Sequence, residues 1–197
     1  MSTIAVAQIS AEQEWVLPSK GLVAMSCVII AESAIFTIFV VAYIFYLGKS
    51  LYGPTPKVLE VPIFNSIALL SSSLTIWLAE HAIERGKMAK FTLWWAITFI
   101  LGAIFLVGTG LEWHKLIYEE GLTISSNLFA TTYYSIVGLH ASHVVLGLCA
   151  LLLVLILTLT GHVRKEHAER VQVLALYWHF VDAVWIVVFT VVYIIGR

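Results

Sequence analysis

The chain has 197 residues, 60% of them hydrophobic and only 12% charged, with a formal net charge of −1. Soluble domains are about 45–50% apolar and about 25% charged, so this chain lacks the polar surface to cover a globule in water. The balance also excludes a nucleic-acid binder, which needs a basic patch to compete for phosphates. Residues 1–21 form an N-terminal segment on the cytoplasmic side. It has no basic start, carries Glu12 and Glu14 and lacks a long apolar core, so it does not read as a cleavable signal peptide. Residues 4–16 fit either a short interfacial helix anchored by Trp15 or a disordered tail.

Five apolar runs follow, at 22–47, 62–82, 91–111, 128–160 and 171–195. Each suffices to cross a bilayer as a helix, which takes about 20 apolar residues. The expected fold is all-α: a polytopic membrane protein whose domain, 22–197, holds five transmembrane helices, neighbours mostly antiparallel. The fourth run would extend ~50 Å as a helix, beyond a core of ~30 Å, and must tilt or project. It carries Gly138, Ala141, Ser142 and Gly147, small residues that let helix backbones approach closely. Cys27 and Cys149 have no CxxC partner and read as small buried hydrophobes.

Loop charge sets the orientation. Lys20, Arg85, Lys87, Lys90, Arg164, Lys165 and Arg170 fall on one side, against Lys49, Lys57, Lys115 and Arg197 on the other. This favours a cytoplasmic N-terminus and a periplasmic C-terminus. Trp94 and Trp95 are expected in the inner aromatic belt, with Trp113, Tyr118 and Tyr193 at the outer one.

A few polar groups interrupt the apolar spans. Glu32 lies in the first, His140 and His143 in the fourth, His179 and Asp182 in the fifth. Glu32 and Asp182 fall ~15–17 Å from the inner face, near mid-membrane. An ionisable group there costs about 2.5–3.5 kcal/mol on insertion scales and normally has a partner inside the bundle. Both histidine-containing pairs are spaced i, i+3 and share a helix face. An Asp–His contact between the fourth and fifth helices would satisfy two costly groups, and Glu32 is expected to be buried, facing a lipid or the fifth helix. Glu80, His81 and Glu112 are candidates at helix ends. Four readings fit these residues: a haem or metal site, a proton or ion pathway, hydrogen bonds that fix helix register, and a carboxylate facing a partner subunit or lipid.

The strings AESAIF (31–36), LEVPIFN (59–65), LTIWLAEHA (74–82), GLEW (110–113), GLHASHVVLG (138–147) and YWHFVDAVWIVVFTVVY (177–193) occur in that order. Together they resemble subunit III of the haem-copper terminal oxidases, in a five-helix form. The resemblance implies a subunit with no catalytic centre, haem or copper of its own, those cofactors belonging to partner subunits. It implies packing on subunit I, which reduces dioxygen and pumps protons, support of proton uptake, and phospholipid held in a cleft. The location would be the bacterial cytoplasmic membrane. By the same resemblance Glu32 matches a buried carboxylate, Glu112 an acidic helix end, His140 and His143 the sixth-helix histidines, and His179 with Asp182 the WHF(V/L)D motif. Larger relatives have two preceding helices, so part of the lipid cleft would come from a partner here. Residues 151–159 lack the basic side chain that meets a lipid phosphate in some members, leaving Arg164 as the nearest substitute. Glu32, where some quinol-oxidising versions have Asp, favours cytochrome c as donor. Alternatives are an accessory subunit of a nitric oxide reductase, an independent transporter or a b-type cytochrome.

Overall fold

Several helix ends fall where the sequence supplies a partner for the free backbone groups. In the computed structural model, which describes residues 19–50 and 52–196, Ser19 caps α1 (Lys20–Tyr46) by accepting the Leu22 N–H. Asn127 caps α4 (Leu128–Leu159), its Oδ1 accepting from Ala130 N at 2.8 Å. The end of α2 (Ile63–Glu84) is closed by Lys87 N–H donating to Ala82 O and Gly86 N–H to Ile83 O, with Gly86 at φ 69°. That pairing requires a left-handed residue after the helix, a conformation glycine takes without cost. Gly161 repeats it after α4, with φ 77°, at the same end of the bundle. The remaining helices are α3 (Met88–Tyr118) and α5 (Ala168–Phe189), the latter running on through a wider π-helical turn over Thr190–Ile195. Residues 4–16 with Trp15, and Arg197 of the orientation count, lie outside the described residues.

Among the described residues there are five helices long and apolar enough to cross a membrane, and no strand. α3 outruns its apolar run by seven residues, through Glu112 and Lys115 to Tyr118. α4 and α5 form the centre. α3 and α2 pack together on one side, α2 also on α5 and α3 on α4, while α1 packs chiefly on α4 and α5. Only Phe36 and Tyr43 of α1 are fully buried, so this helix lies on the outside of the bundle.

The core is rich in aromatic rings, and three tryptophans in it have their N–H groups satisfied by neighbouring helices. Trp95 donates to Leu151 O at 2.9 Å, Trp178 to Ser72 Oγ at 2.8 Å and Trp185 to Ser66 Oγ at 3.1 Å. The Trp178 benzo ring is wedged between Gly102 of α3 and Gly147 of α4, where an added Cβ would meet ring carbons at 2.7 Å on either side. Gly147 is therefore used for packing inside the chain. The outer surface is apolar, with Ile30, Phe64 and Leu111 among its exposed side chains, as expected where hydrocarbon is the solvent.

Two sequence expectations change here. Cys27 and Cys149 are exposed, because in a membrane the outward faces are as apolar as the core and small hydrophobes need not be inside. Trp95 and Tyr193 are buried in the bundle, so they do not belong to an interfacial belt, whereas Tyr118 is exposed.

Candidate functional site

The polar residues of the spans sort into three clusters, each joining different helices. On the α1–α4 side, His143 Nε2 lies 3.2 Å from Glu32 Oε2, and its Nδ1 lies 2.8 Å from Leu139 O. A carbonyl only accepts, so Nδ1 carries a hydrogen. The contact with Glu32 then needs one more proton, held either by the carboxyl or by Nε2, and in both arrangements the pair has no net charge. Glu32 is thus tied to the fourth helix instead of the expected fifth, and its side chain is 29% exposed on the peripheral α1.

His140, three positions earlier on the same helix, goes elsewhere. It is 0% exposed, with the Trp185 ring at 5.0 Å and the Phe105 ring edge-on at 5.7 Å. Neither ring nitrogen has a hydrogen-bond partner among the described residues. Three residues advance a helix by about 300°, and the remaining 60° is enough to aim two side chains at different neighbours. The two histidines therefore have separate surroundings.

The second cluster occupies the α2–α5 seam. Asp182, 3% exposed, accepts from Ser73 Oγ at Oδ2 over 2.5 Å, and the same Ser73 oxygen lies 3.0 Å from His179 Nδ1. His179 Nε2 faces Glu80 Oε2 at 3.8 Å. The Asp–His contact expected between α4 and α5 does not form: Asp182 faces α2, and α4 presents Gly147 to the intervening Trp178. His81 bonds back to Trp77 O and stacks on the Trp77 ring.

The third cluster lies near the opposite end, where Glu112 accepts from Tyr193 at 2.8 Å and Tyr133 at 3.1 Å. Nearby, Lys115 of α3 pairs with Glu60 of the α1–α2 connector. Arg164 is exposed in the α4–α5 connector, where its backbone N–H donates to His167 Nδ1. Beside it a groove of about 270 Å³ is lined by His162, His167 and Arg170 over Val154, Leu157 and Leu174, without Arg164.

Sequence reasoning missed Ser73, Tyr133 and Arg170 as site residues. Three successive serines at 71–73 within an apolar span were the available signal for the first. Among the described residues no three His, Cys, Asp or Glu side chains converge as a metal-binding group. The first two clusters each tie one pair of helices, and the third ties α3 to α4 and to the turn that extends α5.

The family model described as cytochrome c oxidase subunit III matches residues 19–197. The chain belongs to the cytochrome c oxidase subunit III family. A cytochrome c oxidase subunit 3 of Alkalihalophilus pseudofirmus is 34% identical over 84% of this chain and 82% of its own length. One from Synechocystis is 40% identical over 85% and 72%. A protein from Pseudomonas aeruginosa named cytochrome bo(3) ubiquinol oxidase subunit 3 is 37% identical over 73% and 70%. Membership of the subunit III family makes this chain a subunit of a multi-subunit terminal oxidase of the respiratory chain, in keeping with the five helices, among the described residues, that are long and apolar enough to cross a membrane. It also displaces the independent transporter and b-type cytochrome readings.

Proposed function

We propose that the chain is the non-catalytic subunit III of a bacterial proton-pumping haem-copper oxidase, packed against subunit I and stabilising it. The observation that carries this reading is the family match over 19–197. The use of Glu32, His143, His179 and Asp182 for contacts between the chain's own helices supports a structural role. Haem and copper then reside in partner subunits, and this chain helps sustain proton uptake there.

Phospholipid is the further partner. We place a head group at the connector that carries Arg164, and the basic rim and apolar floor of the neighbouring groove support that position. The proposed orientation, N-terminus in the cytoplasm, rests on the excess of Lys and Arg in the 83–90 and 161–170 connectors. Cytochrome c is proposed as electron donor on the Glu side chain at 32; the likeness to a ubiquinol oxidase subunit keeps quinol as the second reading.

Purification under mild detergent tests the proposal. Co-migration with a haem-containing subunit I is expected. Recovery of a lone chain with no haem-bearing partner refutes it. A Soret band in the isolated chain would refute the assignment of haem to partners.

A further inference from the structure

The α2–α5 seam holds one feature that a purely structural role does not require. Ser73 Oγ sits between two titratable groups, 2.5 Å from Asp182 Oδ2 and 3.0 Å from His179 Nδ1. A serine hydroxyl has one hydrogen to give and lone pairs to receive, so it cannot donate to both. With Asp182 ionised, Ser73 donates to the carboxylate and accepts the His179 Nδ1–H. With Asp182 protonated, the carboxyl donates to Ser73, Ser73 donates to a bare Nδ1, and His179 carries its hydrogen on Nε2. The same positions of the heavy atoms satisfy both arrangements.

The histidine connects this switch to the end of the bundle. His179 Nε2 faces Glu80 Oε2 at 3.8 Å, within ion-pair range, and the His179 side chain is 36% exposed. One turn beyond Glu80, Glu84 receives Gln172 at 3.4 Å beside the exposed Arg85 and Lys87. The path from Glu84 to Ser73 follows α2 for 11 residues, about 16 Å.

We propose that Glu80, His179, Ser73 and Asp182 form a proton relay, through which Asp182 exchanges its proton with the end of the bundle where α2 finishes and α5 begins. In the inward step the Glu80 carboxyl gives its proton to His179 Nε2, Nδ1–H passes to Ser73 Oγ, and the Ser73 hydroxyl proton passes to Asp182 Oδ2. Glu80 is left as carboxylate, His179 and Ser73 are neutral again, and Asp182 is the acid. Glu80 recovers its proton from water at the helix end, and the reverse sequence discharges Asp182. Among the described residues no other titratable group competes at Asp182: α2 presents Ser72 and Ser73, α5 presents His179, the α1 and α4 groups Glu32 and His143 are bonded to each other, and His140 is packed against Trp185. This goes beyond the structural role proposed above and is independent of the electron donor.

Infrared spectroscopy of the intact oxidase tests the relay. The carboxylic-acid C=O band of Asp182 is the one lost in Asp182→Asn, and its shift on transfer to D2O times the exchange. Ser73→Ala and His179→Phe should each slow that exchange about a hundredfold, the lower end of what a positioned proton donor supplies. Ser73→Thr keeps the hydroxyl and should exchange at the wild-type rate. Unchanged exchange in Ser73→Ala overturns the relay, as does an equal slowing in Ser73→Thr or the absence of any Asp182 acid band between about pH 5 and 8, the range histidine can sense. If Ser73→Ala does not assemble, Glu80→Gln decides: it has the same shape but no carboxyl proton, and slowed exchange supports the relay while unchanged exchange overturns it.

Discussion

Gly147→Ala tests whether the Trp178 ring is the wedge that sets the spacing of α3, α4 and α5. The new Cβ would lie 2.7 Å from ring carbons, well inside van der Waals contact. The ring cannot retreat, because Gly102 touches its far edge and its Nε1 is bonded to Ser72. Overpacking of this kind costs about 1–3 kcal/mol. Replacing a helical glycine also gains about 0.8–1.0 kcal/mol of intrinsic propensity, so the single variant understates the clash. A double-mutant cycle with Trp178→Phe removes that term, since the propensity gain is the same in both backgrounds. Phenylalanine lacks the outer ring that both glycines touch, and the alanine methyl should then fit. The expected coupling is about 1–3 kcal/mol, with Gly147→Ala neutral or stabilising once Trp178 is Phe. Unfolding by SDS in mixed micelles, followed by near-ultraviolet circular dichroism, measures all four corners. Additivity within about 0.5 kcal/mol would refute the wedge.

Three further outcomes are expected. His140→Leu removes two buried nitrogens that lack partners, so stability should hold or rise by about 1–3 kcal/mol in the same micelle assay; a loss would show that the imidazole is engaged after all. Glu32→Ala should weaken the hold of α4 on α1 by about 0.6–2 kcal/mol, seen as shorter oxidase lifetime during turnover and easier loss of this subunit, while Glu32→Gln retains a donor for His143 and should be milder. If lifetime and retention both stay unchanged in Glu32→Ala, the link has no role. At the exposed Glu60–Lys115 pair, hydrogen bonding and charge from Lys115 hold the Glu60 carboxyl below its usual range. The pair's contribution is therefore present above the ordinary carboxylate titration and fades as pH falls through the lowered value. Carboxyl NMR should show Glu60 returning towards normal in Lys115→Met and in high salt; an unmoved titration excludes the interaction.

The span count was legible because hydropathy reports the length of apolar surface, which bilayer thickness dictates. The ends were less so: α3 runs past residue 111 because its backbone hydrogen bonds continue through Glu112 and Lys115 after the apolar run stops. Partner choice was the least legible. Spacing placed His140 and His143 on one face, yet the offset within that face sends one to Phe105 and Trp185 and the other to Glu32. Asp182 is buried, but its donor Ser73 lies 109 positions away, and no local pattern announces such a pairing. Glycines read as small were informative about close approach and silent about which ring approaches.

The peripheral place of α1 has a temporal side. During synthesis this helix emerges before α2 and α3, while its packing surfaces belong to α4, which begins roughly eighty residues after Tyr46, and to α5, which follows later still. At an elongation rate of about 5–20 residues per second the wait for α4 is about 4–16 s. Throughout it Glu32 has reached the membrane without His143, at an insertion cost of about 2.5–3.5 kcal/mol that the rest of an otherwise apolar helix must offset. The first helix of the domain to arrive is among the last to find its seat, and an insertion factor that shelters a lone carboxyl-bearing helix would act in that window.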